Sequence, residues 1–168
     1  IIQFDEPAFN SFLKESTEWG MDAMEVAIDG LDCKTAVHIC YGYGIEENLN
    51  WKKTLGDQWR QYEELFPAIN QSNIDQVSLE FAGSRVPPEL MRLLPDKEIM
   101  VGVISVVKDH IETAEEVENN IIQALDHVDA ERLIPCTNCG MAPISMDVAK
   151  QKLKALGEGS QRAERKIS

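Results

Sequence analysis

Positive charge is scarce in this sequence. Its 168 residues carry 16 Lys and Arg against 29 Asp and Glu, a formal net charge of −13 at pH 7. Nucleic acid and anionic membrane surfaces would repel such a chain, so neither is expected as a main partner. Long apolar runs are missing too: no stretch suffices to span a bilayer, and no signal peptide opens the chain. Cysteine is sparse. Cys33, Cys40, Cys136 and Cys139 are too few for a disulfide scaffold at this length, which points to reduced thiols and a cytoplasmic protein. In that compartment clustered Cys and His suggest metal or catalysis. No G-x-G-x-x-G follows the first apolar segment, which argues against a dinucleotide fold.

What is present is an ordinary globular mixture, 43% hydrophobic and 27% charged, long enough for one domain with a real core. Five short Val/Ile-rich segments predict strands: 1–5, 35–41, 76–81, 99–107 and 133–136. Helical spacing recurs between them, in Trp19, Ala23, Met24, Ala27, Ile28 and Leu31, and again in Leu55, Trp59, Tyr62, Leu65 and Phe66. Residues 88–94 form a shorter candidate. Thr113 and Glu116 make a capping box ahead of Val117, Ile121, Leu125 and Val128. Ser145 caps a last helix that Gly157 would end. Residues 1–157 are thus one unit, followed by a polar, frayed tail over 158–168.

Strand–helix alternation means a parallel sheet with right-handed crossovers. A doubly wound open sheet and part of a (β/α)8 TIM barrel both fit. Five units in this length match the pitch of a barrel, whose eight units need about 250 residues. The opening Ile1-Ile2-Gln3-Phe4-Asp5 reads as a strand already under way with no initiator Met, so the chain is expected to be the C-terminal five units of a longer barrel. The missing units would then cover its open edges.

The reactive side chains fall at the ends of these strands. Asp5 ends the first, His38 and Cys40 the second, Glu80 lies near the end of the third, and Cys139 follows the fifth. In a parallel barrel those ends form one mouth, where active sites sit. Residues two apart on a strand share a face, so His38 and Cys40 can grip one ion. Two thiolates, an imidazole and a carboxylate suit Zn2+, and zinc holds a substrate thiol as a nucleophilic thiolate at neutral pH. A plain H-x-C on a strand is common, and Cys often serves as a small buried hydrophobe. Glu80 in an apolar strand needs a partner. Cys136-Thr137-Asn138-Cys139, read alone, fits a redox pair or half a structural zinc site equally well.

The ordered set Ile1-Ile2-Gln3-Phe4-Asp5-Glu6-Pro7-Ala8, His38-Ile39-Cys40-Tyr41, Ser78-Leu79-Glu80 and Cys139-Gly140 resembles the C-terminal catalytic barrel of cobalamin-independent methionine synthase. The resemblance implies a (β/α)8 barrel with zinc held by His38, Cys40, Glu80 and Cys139. It implies that Asp5 holds the amino group of homocysteine, and that the reaction methylates the homocysteine sulfur to give methionine. Two departures stand out. Val107 and Ser105 occupy the family's His and Asp positions in the strand before the last, with His110 three residues on. Met141-Ala142-Pro143-Ile144 replaces a basic stretch after the late Cys. Both weaken the folate half of the reaction, and the chain is similar to the short, single-barrel core methionine synthases. The expected methyl donor is therefore a corrinoid or another carrier rather than methylated folate.

A close rival keeps the zinc chemistry with another thiol, such as a coenzyme thiol. A reading of another class is a non-catalytic, zinc-stabilised binding domain, and a third is a doubly wound domain without metal. Cys33 and Cys136 are expected to be structural, His127 to sit at a helix end, and Glu115, Glu116 and Glu118 to form a solvated face. Trp19, Trp51 and Trp59 are expected in helix packing. Tyr41 and Tyr43 are candidates for lining the substrate pocket.

Overall fold

The computed structural model describes residues 1–42, 46–106 and 110–167. Tyr43, Val107 and Lys108 lie outside the described residues, so the expectations attached to them are not addressed below. Five parallel strands form one sheet in chain order: β1 (Ile2–Asp5), β2 (Thr35–Ile39), β3 (Gln76–Glu80), β4 (Glu98–Ile104) and β5 (Leu133–Thr137). Among the described residues, β1 and β5 are each paired on one side only. The connections are α1 (Leu13–Glu15), which runs through a π turn (Ser16–Gly20) into α2 (Met21–Ile28), then α3 (Glu46–Thr54), α4 (Gln61–Gln71), a 3-10 turn (Pro88–Leu93), α5 (Ala114–Leu125) and α6 (Met146–Ile167). No helix among the described residues is long and apolar enough to cross a membrane.

The core explains the alternation. Val37, Ile39, Val77, Leu79, Ile99 and Val101 are buried and share one hydrophobic cluster with Tyr62, Leu65, Phe66 and Ile69 of α4 and Val117, Ile121 and Ala124 of α5. The intervening strand positions Ala36, His38, Gln76, Ser78 and Glu80 face the other way and are also buried, as an inner barrel face would require. The capping box forms: Thr113 Oγ1 accepts from Glu116 N–H at 3.2 Å, and Glu116 Oε2 accepts from Thr113 N–H at 2.7 Å. Ser145 Oγ accepts from Val148 N–H at 3.3 Å at the start of α6.

Three local expectations are corrected. Leu55 and Trp59 do not share a helix with Tyr62, because Gly56 turns the chain at φ 74° and Trp59 N–H instead bonds Arg85 O at 3.0 Å. Residues 88–94 form a 3-10 turn rather than an α-helix. The tail is not frayed, since α6 runs past Gly157 to Ile167. Gly157 is exposed with open space around it, so nothing forces a stop there. Gly159 and Ala163, buried like Lys152 and Ala155 before them, continue the stripe that packs on α5. A Cβ on Gly159 would come within 2.5 Å of the Val117 side chain, so only glycine permits that approach.

Candidate metal centre

The inner face of the sheet carries a row of reactive side chains at its C-terminal end. Register places Asp5 beside His38, and His38 beside Ser78. His38 and Cys40 point to the same side, as their two-residue spacing requires. A register shift on β4 between Gly102 and Ile104 redirects the chain after Cys136, and Cys139 arrives at the same place from the following loop.

His38 Nε2 lies 3.3 Å from Cys139 Sγ, and Cys139 Sγ lies 4.0 Å from Cys40 Sγ. The three possible ligand atoms all fall within 4.8 Å of one another. Zinc–sulfur bonds of about 2.3 Å and zinc–nitrogen bonds of about 2.0–2.1 Å at a tetrahedral angle put two sulfurs roughly 3.8 Å apart, and a sulfur and a nitrogen roughly 3.6 Å apart. The Cys139 spacings to His38 and Cys40 are within about 0.3 Å of these values, so the donor set fits one ion. Burial agrees: His38 and Cys40 are buried and Cys139 half-buried.

Around this triad the groups are oriented rather than free. Ser78 Oγ is 2.9 Å from His38 Nδ1, so with Nε2 as the ligand nitrogen Nδ1–H donates to Ser78, fixing the ring as a ligating histidine needs. Gly42 N–H donates to Cys40 Sγ at 3.4 Å. The Cys139 contact, followed by burial, raises the Cys40 pKa from its ordinary value. A divalent ion would reverse that, since a coordinating thiol is deprotonated.

Glu80 is buried next to this group but is not drawn into it. Its Oε2 accepts from Tyr41 N–H at 3.2 Å. Burial raises the Glu80 pKa, with Lys52 partly opposing it. Asp5 is exposed at the edge of the mouth, where Oδ1 accepts from Gln3 Nε2 at 2.9 Å. Cys136 also stays out of the triad. Its Sγ donates to Thr137 O at 3.3 Å, and burial pushes its thiol up to about 12. Cys33 is exposed. His110 Nε2 lies 3.1 Å from Glu116 Oε1 at the start of α5, and Ser105 N–H donates to Glu112 Oε1 at 2.8 Å.

Two aromatic expectations change. Tyr41 is closed off from solvent: it is 1% exposed and sits among Trp51, Trp59 and Tyr62 with ring centroids 5.7, 4.9 and 5.2 Å away. Trp51 and Trp59 do pack there, but Trp19 is 61% exposed. Asn138 and Ser78 went unassigned in the sequence. The only hint was a polar residue at an otherwise buried register position, which spacing alone does not distinguish from a loop residue.

Known proteins share this arrangement of segments. Residues 1–161 match the family model described as the cobalamin-independent synthase catalytic domain. A methionine synthase of Saccharolobus islandicus (strain Y.G.57.14) is 34% identical over 162 residues, 95% of this chain and 43% of the relative. One of Sulfurisphaera tokodaii is 32% identical over 160 residues, 95% of this chain and 42% of its own length. Among solved structures, a B12-independent methionine synthase from Shewanella sp. W3-18-1 in complex with selenomethionine superposes with a TM-score of 0.94 at 56% identity, over 99% of this chain and 49% of that one. A putative vitamin-B12-independent methionine synthase of Listeria monocytogenes shares the fold, with a TM-score of 0.63 at 20% identity. The chain spans less than half the length of the curated relatives it matches.

Proposed function

Because this chain belongs to the family of the cobalamin-independent synthase catalytic domain, we propose that it forms the C-terminal half of a (β/α)8 barrel that transfers a methyl group to the thiol of homocysteine, giving methionine. The observation that carries the reading is the convergence of His38, Cys40 and Cys139 from two separate segments, their possible ligand atoms within 4.8 Å of one another. The remaining units would close the barrel along β1 and β5. An apolar cavity of about 330 Å³ beside β1, rimmed by exposed Phe12 and Trp19, fits a surface that another barrel unit covers. The composition and family suit a cytoplasmic enzyme.

His38, Cys40 and Cys139 would hold Zn2+, and Glu80 is the fourth ligand in this reading, its buried carboxylate lying beside the triad without a full counter-charge. When bound, the ion supplies Lewis acidity that keeps a substrate thiol ionised at neutral pH. Asp5, at the rim beside His38, holds the ammonium group of the amino-acid thiol and turns its sulfur toward the ligand cluster. The sulfur attacks the methyl carbon, a carbon–sulfur bond forms, and the donor leaves with the electron pair of its broken bond to methyl. The donor in this proposal is a methylated corrinoid or another carrier rather than methylated folate, since Met141-Ala142-Pro143-Ile144 lacks the basic charge a folate tail would use.

The complete protein, supplied with homocysteine, is expected to form methionine from a methylated corrinoid. Rapid turnover of methyltetrahydrofolate would refute the donor assignment, and absence of methionine with every donor would refute the reaction. Asp5→Ala is expected to raise the KM for homocysteine about tenfold, the scale of one hydrogen bond to a charged group, with bound zinc unchanged.

A further inference from the structure

Asn138 stands between Thr137 and the candidate ligand Cys139, and it is 2% exposed. Its side chain makes two hydrogen bonds of opposite sense to a single loop: Oδ1 accepts from Phe81 N–H at 3.0 Å, and Nδ2 donates to Ala82 O at 2.8 Å. Its own N–H donates to Ile104 O at 2.8 Å. One residue thus ties together the ends of β3, β4 and β5. The segment it grips begins immediately after Glu80, and the residue it precedes is Cys139.

The amide reaches that position by passing over Gly102. A Cβ there would lie 2.2 Å from Asn138 Oδ1, 2.7 Å from Asn138 Cα and 2.9 Å from Leu79 O. Gly102 has ordinary extended backbone in β4, so the glycine is required by the close approach and not by its own conformation. The β4 register shift beside it turns the chain that carries Asn138 inward. A primary amide suits this place because it is both donor and acceptor, and the Phe81 N–H and Ala82 C=O need one of each. A carboxylate would lose the donor and face a carbonyl oxygen, and an aliphatic side chain would leave both buried backbone groups unpaired.

We propose that Asn138 is a positioning residue of the metal centre: its amide locks the Glu80–Phe81–Ala82 strand end to the Cys139 loop and so sets the distance between the late cysteine and the ligands on β2 and β3. The inference rests on the zinc reading of the site and goes beyond it, since the Asn138 amide bonds backbone groups of Phe81 and Ala82. It acts through backbone, as the outer groups around a metal commonly do, where loss typically costs about 10–100-fold in metal affinity.

The test compares zinc affinity, by competition with a chromophoric chelator, and the Co2+ absorption spectrum in the parent, Asn138→Ala, Asn138→Asp and Asn120→Ala. Asn120 is the control, because its Nδ2 bonds a backbone carbonyl of the same sheet, Val103 O at 3.2 Å, away from the ligands. Asn138→Ala is expected to bind zinc about 10–100-fold more weakly, with an altered cobalt ligand-field band. Asn138→Asp, which keeps the Phe81 bond and the side-chain shape, is expected to lie between it and the parent, and decides the question if the alanine variant does not fold. Asn120→Ala is expected to lower the unfolding midpoint while leaving zinc affinity unchanged. Parent-like affinity and spectrum in folded Asn138→Ala or Asn138→Asp, or an equal loss in Asn120→Ala, would overturn the positioning role. A parent that binds no zinc would remove the zinc reading and this inference with it, a result distinct from tight binding in parent and variants alike.

Discussion

The two ends of the sheet treat polar side chains in opposite ways. At the N-terminal end several charged side chains have hydrogen-bond or ion-pair partners. Glu98 accepts from Lys34 Nζ and from Gln76 Nε2, each at 2.5 Å, and Asp75 Oδ2 accepts from Thr35 N–H at 2.7 Å. Lys97 Nζ donates to Ser72 O at 2.6 Å, and Arg132 Nη1 caps two carbonyls, Leu94 O at 2.9 Å and Lys97 O at 2.8 Å. At the C-terminal end the His38 imidazole and the Cys40 and Cys139 thiols lie within 4.8 Å of one another, with the buried Glu80 carboxylate next to them. The first arrangement is self-sufficient and serves stability. The second gathers candidate ligands at the C-terminal ends of parallel strands, the end that carries the chemistry in parallel barrels.

Substitutions at the two ends should therefore separate into different observables. The largest stability effect is expected where a buried ion pair supports the mouth without belonging to the ligand set. Lys152, 0% exposed, donates to Glu112 Oε2 at 2.7 Å and to His110 O. Lys152→Met leaves Glu112 buried and unpaired and is expected to cost about 3–5 kcal/mol, measured by urea unfolding. A loss below about 1 kcal/mol would show that the pair is solvated in solution. Next, Arg132→Ala at the opposite end is expected to cost about 1.5–3 kcal/mol, the scale of hydrogen bonds to a charged group, with zinc affinity unchanged. Ser78→Ala is expected to do the reverse, weakening zinc about tenfold through the loss of the His38 Nδ1 partner while barely moving the unfolding midpoint.

The smallest effects are pH dependences of opposite sign. The Lys34 and Gln76 bonds lower the Glu98 pKa. Its stabilising contribution is present above the ordinary carboxylate value and is lost as pH falls through the depressed one, so Glu98→Gln flattens the acid limb of the stability profile. Burial raises the Glu80 pKa. In zinc-free protein its ionisation therefore opposes folding as pH rises through the ordinary value toward the raised one, and Glu80→Gln should stabilise the metal-free chain at neutral pH. Metal-free unfolding midpoints across pH 3–8 check both signs.

Much of this division was legible in the sequence. The five strands were readable within a few residues because a parallel sheet buries its strands as dense Val/Ile runs. The shared face of His38 and Cys40 follows from strand periodicity alone. Cys139 was different. It sits on a loop, where no periodicity fixes direction; its place just past the fifth strand makes it a candidate, and the resemblance to a family adds to that. Asn138 was invisible for the same reason, and its partners Phe81 and Ala82 are 57 and 56 residues away in the chain. Gly157 reads as a helix terminator in the sequence, yet α6 runs on to Ile167. What sustains it is the packing of Gly159 and Ala163 against α5, and small residues leave no mark in a hydrophobic pattern. Tyr41 flanks a Gly-containing loop at the strand ends, which suggests a pocket residue in sequence, but its ring turns back into the aromatic cluster.

Zinc content by mass spectrometry, on the parent chain and on Cys139→Ser purified without chelator, tests the centre most directly. Near-equimolar zinc in the parent that falls sharply in the variant is the predicted result. Little zinc in the well-folded parent, or full zinc in Cys139→Ser, would contradict the ligand assignment and leave a family fold without a metal centre at its mouth.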